Sequence, residues 1–169
     1  DSPHTLDRYI LAKLHDTAQV VTEHLDHLDS PLAAAALRDF ADVLTNWYVR
    51  RSRERFWDGS DQAAIDTLYT VLEVLSRLAA PLAPLISEEV WRGLTGGESV
   101  HLTDWPDASL IPSDPTLVDE MDQVRDIASA GLALRKAHQL RVRLPLQKIT
   151  VVVDNPASVE HYTEVLADE

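Results

Sequence analysis

Apolar residues recur at steps of three, four and seven positions along most of this 169-residue chain. Such steps place them on one face of an amphipathic helix. Five stretches show the pattern, and proline, glycine or a capping serine or aspartate separates them. The expected buried faces are Leu6, Ile10, Leu14, Val21, Leu25 and Leu28; Leu37, Phe40, Ala41, Leu44 and Tyr48; Ile65, Leu68, Leu72, Leu75 and Leu78; Leu85, Ile86, Val90, Trp91 and Leu94; and Leu117, Met121, Val124, Ala128 and Leu132. Because the first four stretches are joined by short connections, the sequence predicts a mainly α, up-and-down antiparallel helical bundle.

Breaks in the pattern indicate where the helices begin and end. Ser30 followed by Pro31 should start the second helix, and Ser60 should cap the third. The second helix is expected to run through the arginine-rich stretch and to stop near Gly59. Residues 99–115 contain three prolines and are expected to cross the bundle surface as an extended connector.

The chain is expected to divide into three parts. Residues 1–112 form the helical bundle, and residues 113–147 form a fifth helix followed by a basic connector. Residues 148–169 begin a small α/β segment, since "KITVVVD" at 148–154 is rich in β-branched residues and predicts a strand.

Composition indicates an ordinary globular protein. The chain is 45% hydrophobic and 25% charged, and it has no cysteine, which excludes disulfides and thiolate chemistry. No apolar run approaches the ~20 residues of a membrane span, and no secretory leader is recognisable. These features favour a cytoplasmic protein without a membrane partner.

Positive charge is concentrated in two places. The formal net charge is -13, with 15 Lys and Arg residues against 28 Asp and Glu. Nine of the fifteen basic residues lie at 50–55 and 135–148. A polyanion would be repelled by most of such a surface and attracted at one or two places, which favours a defined docking geometry.

The first basic window, "NWYVRRSRERFW" at 46–57, divides into two sets on a helical wheel drawn at 100° per residue. One narrow arc that faces away from the apolar stripe holds Asn46, Arg50, Arg53 and Trp57. On a nucleic acid, guanidinium groups would bind phosphates or base edges, and an indole ring would stack on an unpaired base. A second interpretation pairs these arginines with the chain's many carboxylates, and the sequence leaves both open.

The other members of this window are expected to be structural. Arg51 and Arg55 continue the line of the buried face, and Trp47 and Phe56 are expected in the core or at the end of the bundle. The second window, "LRKAHQLRVRLPLQK", suits backbone phosphates or a neighbouring acidic surface and carries no base-reading signal.

No catalytic or metal site is expected in this chain. His24 and His27 are one turn apart among acidic residues, but the paired Glu-x-x-His motifs of a di-metal bundle are absent. There is no glycine-rich phosphate loop, no Gly-x-Ser-x-Gly and no cysteine nucleophile.

Five motifs give the chain a resemblance to a known family. They are "LDRYILAKL" at 6–14, "NWYVRRSRERFW" at 46–57, "LAAPLAPLISEEVW" at 78–91, "SVHLTDWP" at 99–106 and "RVRLPLQ" at 141–147. In this order and spacing they resemble the anticodon-binding helical domain, with its C-terminal continuation, of class I aminoacyl-tRNA synthetases. The first and third motifs are shared with valyl and leucyl enzymes, whereas "NWYVRR" and "VHLTDWP" point to the isoleucyl-tRNA synthetases.

This resemblance implies a tRNA-binding domain of a cytoplasmic isoleucine–tRNA ligase, which acts in translation. The parent would use ATP with magnesium, and many members carry zinc in a C-terminal module. The signatures of ATP binding are absent here, so this part alone should be catalytically inert and need no cofactor. Its partners would be the anticodon arm of isoleucine tRNA and the catalytic and C-terminal domains of the same chain.

By position, the family resemblance makes seven residues candidates. Those for the anticodon stem-loop are Asn46, Arg50, Arg53 and Trp57, and those for RNA backbone contacts or the interface with the rest of the enzyme are Arg135, Arg141 and Arg143. Two alternatives stay open: the equivalent domain of a valyl or leucyl enzyme, and a helical interaction module that docks an acidic protein surface.

Overall fold

A computed structural model describes residues 2–57, 59–141, 144–145 and 147–167. The chain forms two compact units, one ending at Asp114 and the other beginning at Pro115. The helices of the first unit are α1 (Thr5–Asp26), α2 (Ser30–Asp42), α3 (Arg53–Trp57), α4 (Gln62–Ala79) and α5 (Pro84–Thr95), with a π-helical segment at Val43–Val49. The second unit contains α6 (Pro115–Ala137), α7 (Ala157–Glu160) and α8 (Thr163–Ala167).

The first unit is a helical bundle. Its α1 packs against α2 and α4, and α4 also packs against α2 and α5. The side chains of Tyr9, Ile10, Leu14, Phe40 and Leu78 are almost completely buried between these helices, and each such burial contributes about 1.5–3 kcal/mol. The predicted mainly α bundle is confirmed.

Local signals set most of the helix ends. The carboxylate of Asp29 accepts a hydrogen bond from the Leu32 amide, and Pro31 occupies the first turn of α2. The third predicted helix, α4, is capped by Asp61, whose carboxylate accepts from the Ala64 amide, so the prediction of Ser60 as the cap is wrong by one residue. Gly96 ends α5 in the left-handed conformation, with φ of 66°.

One predicted member of the α1 stripe has a different role. Leu28 is 89% exposed and has a φ of 59°, so it terminates α1 instead of packing in the core. The backbone amide of Asp29 then bonds to the carbonyl of His24 at 2.7 Å, which closes the end of the helix.

The predicted apolar faces of α4 and α5 are partly wrong. In α4 the fully buried side includes Thr67 and Ser76, whereas Ile65 is 38% exposed. Ser76 is accommodated because its hydroxyl donates to the Leu72 carbonyl of the same helix at 2.7 Å. In α5, Ser87 is buried, and the large side chains of Leu85, Ile86 and Val90 are exposed.

The connector after α5 crosses the bundle, as expected. It contains two short 3₁₀ turns, Val100–Leu102 and Ala108–Leu110. The Glu88 carboxylate accepts hydrogen bonds at 3.0 Å from the Ser99 hydroxyl and the Val100 amide. Further on, the indole of Trp105 donates to the Thr22 hydroxyl of α1 at 2.9 Å. Polar contacts at its start and near its middle therefore hold the connector against the bundle.

The second unit is helical in the part that the structure describes. Ser158 and Tyr162 donate hydrogen bonds to Gln123 and Glu120 of α6, at 2.7 and 2.9 Å. Residues 148–154 form no strand, so the predicted α/β segment is wrong for the described residues. A β-branched sequence forms a strand only where a neighbouring strand satisfies its backbone groups, and the described part of this unit supplies none.

Within the described ranges, none of the helices has both the length and the apolarity that a membrane crossing requires.

Candidate functional site

The arginine-rich stretch 46–57 begins in a π-helical segment and ends in α3. In a π-helix each amide bonds to the carbonyl five residues earlier, so a turn holds more than 3.6 residues. Pairs of buried side chains recur here at steps of four, at Val43 and Leu44 and again at Trp47 and Tyr48. The helical wheel drawn at 3.6 residues per turn therefore used the wrong period for this segment. It still separated outward-facing from inward-facing residues, because residues of each kind recur about every fourth position.

The four residues predicted to face outward all lie on the exposed side of this stretch: Asn46, Arg50, Arg53 and Trp57. The Trp57 side chain is 81% exposed. The guanidinium of Arg53 lies over its ring, with Cζ 5.8 Å from the ring centroid. One cation and one large aromatic face are therefore presented together.

Hydrogen bonds orient the first half of this surface. The amide nitrogen of Asn46 donates to the Asp42 carboxylate at 2.6 Å, and Nε of Arg50 donates to the Asn46 carbonyl at 2.9 Å. These contacts follow the helix axis and hold the two side chains against the π-helical segment.

A shallow depression of about 510 Å³ lies on this face. Its lining residues are Thr45, Val49, Arg50, Arg53, Phe56 and Trp57. Apolar side chains and the guanidinium groups of two arginines line it together, an arrangement that suits a planar group carrying negative charge nearby. Thr45 and Val49 were not among the predicted site residues, since neither residue type stands out in an arginine-rich stretch.

Arg55 points the opposite way. Its Nη1 and Nη2 donate to Oδ1 and Oδ2 of Asp7 at 2.7 and 2.8 Å, and its Nε donates to Asp61 at 2.6 Å. The Asp7 side chain is completely buried and also accepts from the hydroxyls of Tyr48, at 2.8 Å, and Ser2, at 2.6 Å. The expected structural role of Arg55 is confirmed, and a buried ion pair carries that role.

The pKa shifts in this cluster keep Asp7, Arg55 and Asp61 charged. Burial by itself would raise the pKa of Asp7, but the donors on Arg55, Ser2 and Tyr48 outweigh it and hold that pKa below its ordinary value. The hydrogen bond to Asp7 raises the pKa of Arg55. Burial, and then the hydrogen bond to Asp7, raise the pKa of Tyr48. The hydrogen bond from Arg55 lowers the pKa of Asp61.

Arg51 also lies on the packing side, as expected. Its Cζ is 5.1 Å from the centroid of the Trp47 ring, and Trp47 is buried, as predicted. Phe56 is half-buried and meets Tyr48 edge to face, with ring centroids 6.0 Å apart. The inward side of the stretch is thus a layer of aromatic rings and two arginines.

The second basic window belongs to the second unit. Nη1 of Arg135 donates to the Leu144 carbonyl at 2.8 Å, so this side chain holds the segment that follows α6. Arg141 is exposed. Arg143 lies outside the described residues.

The part of the chain that the structure describes contains no group of three or more His, Asp and Glu side chains placed to hold a metal ion. The strongest charge cluster, around Asp7, is fully engaged in hydrogen bonds to its neighbours.

Comparison with known proteins agrees with this geometry. A family model described as the anticodon-binding domain of tRNA ligase matches residues 7–150. The chain is 59% identical over 169 residues to the isoleucine–tRNA ligase of Leifsonia xyli subsp. xyli, covering 97% of this chain and 15% of the relative. It is 59% and 58% identical to the isoleucine–tRNA ligases of Nocardia farcinica and Mycobacterium tuberculosis, covering 100% of this chain and 16% of each relative.

This chain therefore spans about 16% of the length of the curated relatives that it matches. The match to the family model covers the bundle from the first turn of α1, including the arginine-rich stretch and the connector. The chain belongs to the family of anticodon-binding domains of tRNA ligases.

Proposed function

We propose that this chain binds the anticodon arm of isoleucine tRNA as part of a longer isoleucine–tRNA ligase. The observation that carries the proposal is the outward surface of residues 46–57, where two arginines and an exposed tryptophan meet in a chain of net charge -13. The identity of 58–59% to isoleucine–tRNA ligases supports the isoleucine enzyme over its valyl and leucyl equivalents.

The chemistry of this surface suits an unpaired RNA loop. An exposed indole gives a base a stacking platform, and each such stack is worth about 1–3 kcal/mol. Arg50 and Arg53, which line the depression, can donate to phosphate oxygens or to base edges in pairs of hydrogen bonds. We assign one unstacked anticodon base to the depression and the neighbouring phosphates to the two arginines.

Asn46 and the second basic window complete the proposal. The Asn46 side chain has an amide that both donates and accepts, so it is suited to a base edge. Arg135, Arg141 and Arg143 are proposed to contact the RNA backbone or the rest of the enzyme. For Arg135 this role includes shaping the segment after α6, whose Leu144 carbonyl it binds.

The parent enzyme is proposed to attach isoleucine to its tRNA in the cytoplasm, with ATP and magnesium, and in some members zinc. The residues that the structure describes include no group of ligands placed to bind magnesium or zinc. We therefore assign that chemistry to other parts of the parent and only RNA recognition to this chain.

Equilibrium binding of anticodon stem-loops to the full-length ligase tests the proposal. Stem-loops of isoleucine, valine and leucine tRNAs, matched in length, would be titrated between about 50 and 200 mM salt. We expect preference for the isoleucine stem-loop and an affinity that falls steeply with salt, because bound phosphates release counterions. Equal binding of all three at low salt would contradict the proposal and favour a protein-docking role for the basic surface.

A further inference from the structure

The short helix α3 carries two of the proposed RNA-binding residues, Arg53 and Trp57, yet it has little core of its own. It is five residues long, and none of its residues is fully buried. Isolated helices of this length are not stable in water. Its position must therefore come from its continuation of the preceding helical segment, whose Ser52 carbonyl accepts a hydrogen bond from the Phe56 amide at 3.2 Å, and from contacts that its side chains make with the rest of the bundle.

Two side chains of α3 make such contacts. Phe56 meets the buried ring of Tyr48 edge to face. Arg55 is only 16% exposed and binds carboxylates from two other places, Asp7 of α1 and Asp61 at the start of α4. One guanidinium thus joins α3 to the first turn of α1 and to the cap of α4.

We infer that Arg55, clamped between Asp7 and Asp61, is a positioning residue that fixes α3 and thereby aims Arg53 and Trp57 outward. Arg55 does not itself face the depression. Its importance for RNA binding rests on the proposed function, whereas its control of α3 does not.

The contacts of Arg55 with Asp7 and Asp61, called the clamp below, require arginine in particular. All three guanidinium nitrogens of Arg55 are used, with two parallel bonds to the Asp7 carboxylate and a third to Asp61. Lysine would keep the charge but offers a single ammonium on a flexible stem, so it cannot reproduce the planar fork. Arg55→Lys therefore removes the planar hydrogen-bonding geometry at this position while keeping its positive charge.

Hydrogen exchange on the full-length protein, read in the peptide covering residues 53–57, tests this inference. In Arg55→Lys we expect the amides of α3 to exchange about tenfold faster, while α1 and α2 exchange at the wild-type rate. The matched control is Arg77→Lys, because Arg77 makes an ion pair of 2.6 Å with Glu73 inside α4 and is also largely buried. That control should leave exchange in α3 unchanged.

A second variant, Asp61→Asn, tests the same inference with a substitution that should not unfold the whole protein. Asp61→Asn removes the outer carboxylate of the clamp but keeps an accepting oxygen for the Ala64 amide, because asparagine is also a good helix cap. It should accelerate exchange in α3 by a smaller factor than Arg55→Lys. Wild-type exchange of α3 in both variants would overturn the inference.

Stem-loop binding by the same variants tests whether Arg55 also affects RNA binding. Arg55→Lys should weaken binding of the isoleucine stem-loop by about tenfold, and Arg77→Lys should not change it. Faster exchange in α3 with unchanged affinity would overturn the claim that Arg55 aims the RNA-binding residues. If the wild-type protein binds no stem-loop, the proposed function fails, and the exchange data alone decide whether Arg55 positions α3.

Discussion

At the scale of single residues, Arg53 and Arg55 are two positions apart and lie in opposite environments. Arg53 is exposed beside Trp57, whereas Arg55 is largely buried against the carboxylate of Asp7. Removing an exposed arginine leaves no buried charge unpaired, but removing Arg55 does. The same substitution should therefore leave stability nearly unchanged at Arg53 and lower it at Arg55.

Changing Arg50 and Arg53 together to alanine should weaken binding of the isoleucine stem-loop and leave the melting temperature nearly unchanged. Each lost arginine contact is expected to cost about 1–3 kcal/mol of binding free energy. Fluorescence anisotropy and thermal denaturation measure the two effects on the same protein. Arg92→Ala is a suitable control, because Arg92 is an exposed arginine on α5 that forms a surface ion pair with Glu88.

Arg55→Ala should lower the stability of the fold. Because it leaves the buried Asp7 without its cationic partner, it should reduce the free energy of unfolding by about 3–5 kcal/mol. If the double variant proved unstable and Arg55→Ala remained stable with weak RNA binding, the assignment of outward and inward arginines would be wrong.

The lowered pKa of Asp7 also predicts how stability depends on pH. A carboxyl group that is more acidic in the folded state than the ~3.9 of an unfolded aspartate stabilises the fold above that value. This stabilisation is lost as the pH falls from the unfolded pKa through the folded one. The difference in unfolding free energy between the wild type and Asp7→Asn should be constant from pH 7 to about 5 and should shrink below about pH 4.

Urea denaturation at several pH values measures this difference. Subtracting the Asp7→Asn values cancels the contributions of Glu88 and Asp107, whose pKa values are also lowered, whereas Asp61 shares Arg55 with Asp7 and remains part of the difference. A difference that stays flat or grows on acidification would contradict the ion pair.

Sequence could predict the candidate surface but not the clamp beneath it. The outward residues share one local period and could be grouped from the sequence alone. The pairing of Arg55 with Asp7 joins residues 48 positions apart, and no spacing rule predicts such a contact. The available signal was an aspartate between Leu6 and Tyr9 in the buried face of α1, where a charge needs a partner.

At the scale of elements, prediction succeeded where the signal was local and failed where it depended on a neighbour. Helix starts and ends follow caps and left-handed residues, which a short sequence window contains. The buried face of α4 depends on which helix covers it, and Ile65 is partly exposed although it fits the apolar stripe. Residues 148–154 have the composition of a strand, but the described residues offer no strand to pair with it.

Two glycines of α5 should respond in opposite directions to the same substitution. Gly96 has a φ of 66°, so Gly96→Ala should destabilise the protein by about 1 kcal/mol. Gly93 is inside the helix with open space around its Cβ position, so Gly93→Ala should stabilise it by up to about 1 kcal/mol. Urea midpoints of the two variants measure this contrast, and equal signs would contradict the described end of α5.

At the scale of the whole molecule, the net charge of -13 shapes where an RNA can approach. Most of the surface repels phosphate, and attraction is confined to places such as the face around Arg50 and Arg53. In the proposed complex, a long-range field of this kind would set the approach of the RNA, while the exposed tryptophan and the depression would set which part of the RNA fits. Composition could predict the first property, but the second required the positions of side chains.

Site-specific cross-linking tests the central claim most directly. A photoreactive phenylalanine derivative would replace Trp57 in the full-length ligase, and cross-linked nucleotides of isoleucine tRNA would be mapped by primer extension. A matched probe would replace Leu32, a half-exposed residue in the first turn of α2. We predict that position 57 cross-links to anticodon nucleotides and that position 32 does not. Cross-links from position 57 that map only outside the anticodon loop, or that do not exceed those from position 32, would contradict the claim.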